Sequence, residues 1–297
     1  MKYVITGGTG NISKPLAKKL IEAGHEVTLV GRNPDNLKPL ADMGAKTAMG
    51  TVEDLGFLTR TFIGADAVYT MVPPFFGAAD WKSYIGQIGI NYAEAIKAAG
   101  LKYVVNLSSN GAHLPDRCGP VSGLHRVEKA LNQLNEVNIK HLRPGYFFSN
   151  FYGNIDMIRN MNVLGSNSTK IDDKIILVDT DDIAEVAAEE LLNLDFTGHS
   201  VRYIASDERT GADLAKVLGN AIDKPDLSYV EFSDEDTFHG LISAGLPEEI
   251  AKNYTELGNA MRTGRLGEDY IKNPPSKLGK TKLEDFAKQF AAVYHAS

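Results

Sequence analysis

Thr6-Gly7-Gly8-Thr9-Gly10-Asn11-Ile12-Ser13 follows the short apolar run Tyr3-Val4-Ile5 and precedes a stretch with helical periodicity. It satisfies Gly7-x-x-Gly10-x-x-Ser13, and also Gly8-x-Gly10-x-x-Ser13 with serine in place of the last glycine. A junction of this kind needs glycine where the turn takes unusual dihedrals and where the backbone must approach a pyrophosphate. The amides at the start of the following helix then receive the phosphates. A glycine motif alone says little; its place between a strand and a helix is what points to a dinucleotide. Gly7, Gly8, Thr9, Gly10, Asn11 and Ile12 are the candidate contacts. Ser13 is small enough for close helix–strand packing.

The rest of the first half repeats the strand–helix alternation. Strands are expected at Tyr3–Thr6, Glu26–Val30, Lys46–Ala48, Ala67–Met71, Tyr103–Leu107 and Lys140–Arg143, with helices at Ser13–Ala23, Asn36–Met43, Asp54–Phe62, Trp81–Ala99 and Leu124–Asn135. Gly24, Gly44, Gly64 and Gly100 each end a helical stretch, where a left-handed cap residue belongs. Alternation of this kind predicts an α/β chain with a Rossmann-type, doubly wound parallel sheet. Residues 1–150 would form that dinucleotide-binding domain. Residues 151–297 would form a smaller α+β substrate lobe, partly interleaved with the first. In that half, Thr210 is expected to cap a helix, and Thr281-Lys282-Leu283-Glu284 fits a capping box.

Composition removes several function classes. Lys and Arg number 31 against 38 Asp and Glu, a net charge of −7, which disfavours an electrostatic nucleic-acid binder or a protein held on anionic lipid. No apolar run approaches the roughly 18 residues of a membrane span. The apolar N-terminal stretch is too short for a signal peptide, so the expectation is a cytoplasmic protein. On that ground the three glycosylation patterns, at Asn106, Asn167 and Asn253, read as chance matches. A single cysteine, Cys118, excludes a disulfide framework. No metal site is expected, because His113, His125 and His141 lack ligand spacing on one element.

The second expected strand ends Val30-Gly31-Arg32-Asn33-Pro34. An NAD site would place Asp or Glu about 20 residues beyond the loop, to hold the ribose 2′-hydroxyl. Arg32 stands there instead, suited to the 2′-phosphate of NADP(H), with Lys38 as an assistant. NADP(H) is therefore favoured over NAD(H).

These motifs, together with Ala98-Ala99-Gly100-Leu101-Lys102-Tyr103-Val104-Val105, Leu142-Arg143-Pro144-Gly145-Tyr146-Phe147-Phe148-Ser149-Asn150 and Val178-Asp179-Thr180-Asp181-Asp182, resemble the NmrA-like family. That family is a branch of the atypical short-chain dehydrogenases/reductases, and the resemblance covers essentially the whole chain. It implies NADPH-dependent quinone and ether-type reductases, isomerases, or cofactor-binding regulators. It also places Val72 and Pro73 beside the cofactor ribose, and Pro144 and Tyr146 among the cofactor contacts. Where typical members carry Tyr-x-x-x-Lys, this chain reads His125-Arg126-Val127-Glu128-Lys129. The resemblance implies that Lys129 holds the ribose. Spacing of four puts His125 on the same helical face, as a candidate general acid. Ser108, at the end of the fifth strand, is the candidate substrate-contacting serine.

Phe75, Phe76, Tyr146, Phe147 and Phe148 belong to loops beside the same crevice and suit a flat or conjugated substrate. No HExxH, P-loop, GxSxG or CxxC pattern is present. The expected function is an NADP(H)-dependent oxidoreductase passing hydride to a small carbonyl, quinone or enone. A cofactor-sensing regulator without turnover is the first alternative, and a nucleotide-sugar epimerase-like enzyme the second. The expected partner is a small-molecule substrate, and the expected assembly is a monomer or homodimer.

Overall fold

The computed structural model describes residues 1–296. Its first half alternates β1 (Lys2–Ile5), α1 (Ser13–Glu22), β2 (Glu26–Gly31), α2 (Pro34–Ala41), β3 (Lys46–Met49), α3 (Leu55–Phe62), β4 (Ala67–Thr70), α4 (Trp81–Ala99), β5 (Tyr103–Leu107), α5 (Pro120–Leu131) and β6 (Asn138–Pro144). Then come β7 (Tyr146–Phe147), α6 (Ile155–Met161), β8 (Val163–Ser166), β9 (Lys174–Val178), α7 (Thr180–Asn193) and β10 (His199–Ile204). The chain continues through β11 (Asp207–Thr210), α8 (Gly211–Ala221), β12 (Ser228–Glu231), α9 (Asp234–Ser243), α10 (Glu248–Arg262), α11 (Glu268–Lys272) and α12 (Leu283–Ala296).

Seven strands form one parallel sheet in the order β10-β6-β5-β4-β1-β2-β3. All four residues of β4 are buried, as expected of a strand covered by helices on both faces. On one face, Leu16 and Leu20 of α1 pack with Ile183, Ala187 and Leu191 of α7. On the other, Leu58 and Phe62 of α3 pack with Ile88 and Tyr92 of α4 and Val127 and Leu131 of α5. This is the doubly wound α/β fold that the alternation predicts.

Local chemistry explains where the helices begin and stop. Asp54 and Asp80 cap α3 and α4 by accepting from Phe57 and Ser83 N–H groups at 2.9 and 2.8 Å. Gly24, Gly44, Gly64 and Gly100 all take positive φ. The second half is less separate than a boundary near residue 150 implies, because α7 and β10 return to the first sheet. The remaining chain forms the small sheets β11-β9-β7 and β12-β8. Its core joins Phe148, Leu214, Leu218, Phe286 and Phe290.

Several expectations need correction. α5 begins at Pro120 rather than Leu124, because proline at the first helical turn needs no N–H partner. The capping box at Thr281 does not form. Leu283 N–H is taken by Asp207 at 3.1 Å and Thr281 N–H by Asp182 at 3.1 Å, so tertiary carboxylates replace the local cap. Thr210 does cap α8, in a reciprocal box with Asp213. The strands β7, β8 and β11 and the helices α6 and α11 were not expected. Asn106, Asn167 and Asn253 are all buried side chains, as chance glycosylation patterns allow. No described helix is long and apolar enough to cross a membrane.

Candidate active site

Strand order reverses between β1 and β4, and ligands of open α/β sheets bind beyond the strand C-termini at such a point. The glycine loop lies there. Gly7 has φ +63°, and a Cβ on it would clash with Met71 Sδ. Gly8 and Gly10 have ordinary φ, so the left-handed turn belongs to Gly7 alone of the three. A Cβ on Gly8 would lie 2.9 Å from Leu29 Cβ, and one on Gly10 would lie 3.2 Å from Gly7 O. Gly8 N–H donates to Val30 O at 2.9 Å and Gly10 N–H to Gly7 O at 2.8 Å, which folds the loop back on the sheet. Ser13 fits the last motif position by donating Oγ–H to Thr6 O at 3.2 Å. Thr9, Asn11 and Ile12 complete the loop, with Ile12 at the N-cap of α1.

The loop after β4 is pinned to the glycine loop. Met71 N–H donates to Thr6 Oγ1 at 2.9 Å, and Tyr92 O–H donates to Met71 O at 2.6 Å. Val72 and Pro73 follow, half-buried at the crevice. Neither Thr6 nor Tyr92 was singled out from sequence, although both shape the cradle. Arg32, just past β2, is exposed and has no ion pair or hydrogen bond among the described residues. Lys38 is instead paired to Asp42 one turn along α2, at 2.8 Å.

Ser108 donates Oγ–H to Glu128 Oε1 at 2.5 Å. Arg143 grips the same carboxylate, Nη2 to Oε2 at 2.6 Å and Nε to Oε1 at 3.0 Å. Arg143 Nη1 also reaches Tyr203 Oη at 2.9 Å and Asp269 Oδ2 at 3.0 Å. Burial alone would raise the Glu128 carboxyl, but its hydrogen bonds to Arg143 hold it below the ordinary carboxylate range. Ser108 is therefore committed to this buried unit in the unliganded chain. The unit was not visible in sequence, because its members come from β5, α5, β6, β10 and α11.

His125 is half-buried, with Nδ1 at 2.9 Å from Ala112 O. That contact puts a proton on Nδ1 and leaves Nε2 available. Lys129, four residues on, is exposed beside Arg126 and Gln133, and its ammonium has no partner among the described residues. The structure thus ties His125 to the β5–α5 loop while Lys129 faces solvent. His141 lies beneath the sheet end in a closed chain: Thr70 donates to Asn106 Oδ1, Asn106 Nδ2 to His141 Nδ1, and His141 Nε2 to Asn132 Oδ1, at 3.0, 3.1 and 3.0 Å.

The aromatic residues divide. Phe75 and Phe76 are exposed on the loop after β4, with Phe75 against Tyr84 and Phe76 edge-on to Trp81. Pro144 ends β6, and Tyr146 follows it in β7, edge-on to Phe151 at 5.6 Å. Burial pushes the Tyr146 phenol up to about 12. Phe147 packs against the main core. Phe148 is a correction: 1% exposed and stacked on Phe286 at 5.2 Å, it fills the lobe core and lines no crevice. Among the described residues no group of three His, Cys, Asp or Glu side chains is arranged to hold a metal ion.

The NmrA-like family model matches residues 2–287. The chain belongs to the NmrA-like family. An uncharacterized oxidoreductase, YesF, of Bacillus subtilis is 27% identical over 98% of this chain and 96% of its own length. The NAD(P)H azoreductase of Xenophilus azovorans is 24% identical over 99% of each chain. The Citrobacter triphenylmethane reductase, solved with NADP(H), superposes with TM-score 0.80 at 20% identity, covering 97% of this chain and 99% of that one. Across the NmrA-like chain the shared fold therefore extends through both the sheet and the small lobe.

Proposed function

We propose that this NmrA-like chain is an NADP(H)-dependent oxidoreductase that passes hydride to a small conjugated carbonyl, quinone or enone. One observation carries the reading. The glycine loop is closed by its own backbone bonds at the β1/β4 switch point, with an unpaired guanidinium, Arg32, at the end of the next strand. Side chains at Gly7, Gly8 or Gly10 would meet Met71, Leu29 or the loop's own backbone, so this turn at the head of α1 requires glycine, as a pyrophosphate-binding turn does. The oxidoreductase and azoreductase relatives support the reaction class.

When bound, the cofactor would supply hydride from its nicotinamide ring. The chain's own residues hold and shield it. The glycine loop and the N-terminus of α1 receive the phosphates, and Arg32 receives the 2′-phosphate. Val72 and Pro73 flank the ribose, and Pro144 and Tyr146 close the crevice from the β6 side. Phe75, Phe76 and Tyr146 present an apolar face to a flat substrate and exclude water. His125, its ring oriented by the Nδ1–H bond to Ala112 O, would take up a proton at its available Nε2 and pass it to the reduced substrate. Ser108 enters as a positioning residue through Glu128. Lys129, exposed and without a partner among the described residues, is left to hold the nicotinamide ribose, as the family resemblance implies.

Calorimetric titration with NADPH and NADH, followed by steady-state NADPH consumption with quinones, enones and aldehydes, tests the proposal. Tighter binding of NADPH and consumption with at least one acceptor class are expected. Gly10→Val, shown to be folded by circular dichroism, should abolish binding of both cofactors. Tight NADPH binding without consumption would instead support a cofactor-sensing protein.

A further inference from the structure

The loop from Ser108 to Gly119 joins β5 to α5 and concentrates unsatisfied polarity. Eight buried side-chain nitrogen or oxygen atoms lack a hydrogen-bond partner among the described residues, and three of them are here: Asn110 Oδ1, His113 Nδ1 and His113 Nε2. In the same loop Arg117, a non-glycine residue, has φ of +54°. Strain and unpaired polar groups gather at positions kept for a ligand more often than at positions kept for packing.

Asn110 is the informative member. It is only 5% exposed. Its backbone N–H donates to Pro144 O at 2.9 Å, and its backbone carbonyl accepts from Ser109 Oγ at 2.9 Å. The residue is thereby seated at the end of β5 and fastened to the end of β6. Its side-chain oxygen has no partner, and no hydrogen bond of its amide nitrogen is present among the described residues. A buried amide oxygen left unpaired is costly to the unliganded fold. His113 lies farther along the loop, where Asp269 and Arg143 face it.

The inference rests on the NADP(H) reading of the crevice. In a doubly wound sheet the nicotinamide half of the dinucleotide lies over the second half of the sheet, here the ends of β4, β5 and β6. Asn110 is a primary amide at that place with one acceptor and two donors unused. The group that complements it on both counts is another primary amide. We infer that the Asn110 side-chain amide recognises the carboxamide of the nicotinamide ring, accepting from its NH2 group. In the unliganded chain the Asn110 oxygen is closed off from solvent, so the amide turns about its Cβ–Cγ bond as the ligand enters. This makes Asn110 a cofactor-positioning residue that sets which face and edge of the ring meets the substrate.

The test compares three ligands on the full chain by calorimetry: NADP+, its 3-acetylpyridine analogue, in which a methyl replaces the carboxamide NH2, and 2′-phospho-ADP-ribose, which has no nicotinamide. The parent should bind NADP+ about five- to tenfold tighter than the acetylpyridine analogue. In Asn110→Leu that ratio should fall to near one, while affinity for 2′-phospho-ADP-ribose stays unchanged. Removing the unpaired amide should also raise the Tm of the unliganded variant by about 2–4 °C. If Asn110→Leu does not fold, Asn110→Ala is read in the same way. A ratio that survives the substitution overturns the inference, as does an equal loss for all three ligands, which would mean that Asn110 only packs the loop. A parent chain that binds none of the three overturns the NADP(H) reading itself, and a parent that binds all three while the ratio is unaltered overturns only the role of Asn110.

Discussion

Glu128 and Arg143 meet at two points inside the protein, 2.6 and 3.0 Å apart, and tie α5 to β6 directly beneath the crevice. Ser108 adds a third bond to the same carboxylate, and Tyr203 and Asp269 take the far side of the guanidinium. The loop that carries Asn110 and Ala112 is therefore anchored at its start, and α5 is held against it.

Breaking that pair should be expensive because either partner alone is a buried, uncompensated charge. Glu128→Leu or Arg143→Met should each cost about 3–5 kcal/mol in urea unfolding. The double substitution should cost clearly less than the sum of the two. Additive losses would show that the two charges do not stabilise each other.

Stability should also fall on mild acidification. Burial, the largest influence, pushes the His141 imidazole down to about 4 in the folded chain, against the ordinary value of about 6.5 when unfolded. Between those values the unfolded chain binds the extra proton. Stability is therefore complete above about pH 6.5 and is lost progressively as pH falls toward 4, by about 2–3 kcal/mol from this group. Glu128 loses its contribution in the same direction at lower pH, since its carboxyl is held below the ordinary range. Urea midpoints across this range should shift, and His141→Gln should flatten the upper part of the profile. A flat profile in the parent would contradict the neutral, fully bonded imidazole.

Cofactor choice depends on Arg32. Arg32→Glu removes a charge-assisted contact worth about 1.5–3 kcal/mol and adds repulsion. NADPH affinity should drop roughly ten- to hundredfold, with NADH little changed. Equal losses for both cofactors, or none for either, would mean that another group reads the 2′-phosphate.

Proton delivery is assigned to His125. His125→Asn keeps a side-chain N–H for Ala112 O and removes the imidazole Nε2. NADPH affinity should stay within about twofold while kcat falls by roughly 10²–10⁴, the usual range for a general acid. Normal turnover in this variant would move the proton source to Tyr146 or water.

Much of this was legible in the sequence, and the parts that were not have physical reasons. α4 was expected at Trp81–Ala99 and is found there, because Asp80 caps its start and Gly100 takes the left-handed turn at its end. The glycine loop was readable because its chemistry is local. The positive φ, however, falls on Gly7, since it is Gly7 that passes beneath Met71. β7 has two residues, and β11 (Asp207–Thr210) is polar throughout, so neither carries an apolar run that marks a strand. Thr281 has the letters of a capping box, but Asp182 and Asp207, distant in sequence, reach the helix start first. Phe148 sits in an aromatic run beside Tyr146 and Phe147, and only the fold shows that it turns into the lobe core. Glu128 and Lys129 are neighbours in sequence on adjacent sides of α5. The sequence pattern singled out the lysine, whereas the fold buries the glutamate.

The central claim is hydride transfer from bound NADPH, and the most direct measurement follows the hydrogen itself. NADPH deuterated at C4 is incubated with the protein and an acceptor from the quinone, enone and aldehyde panel, and the product is analysed by mass spectrometry. Deuterium delivered to the product or consumed stoichiometrically from one face of the nicotinamide, with NADP+ formed in equal amount, is the predicted result. Tight binding of the labelled cofactor with no NADP+ formed across the panel would contradict the claim.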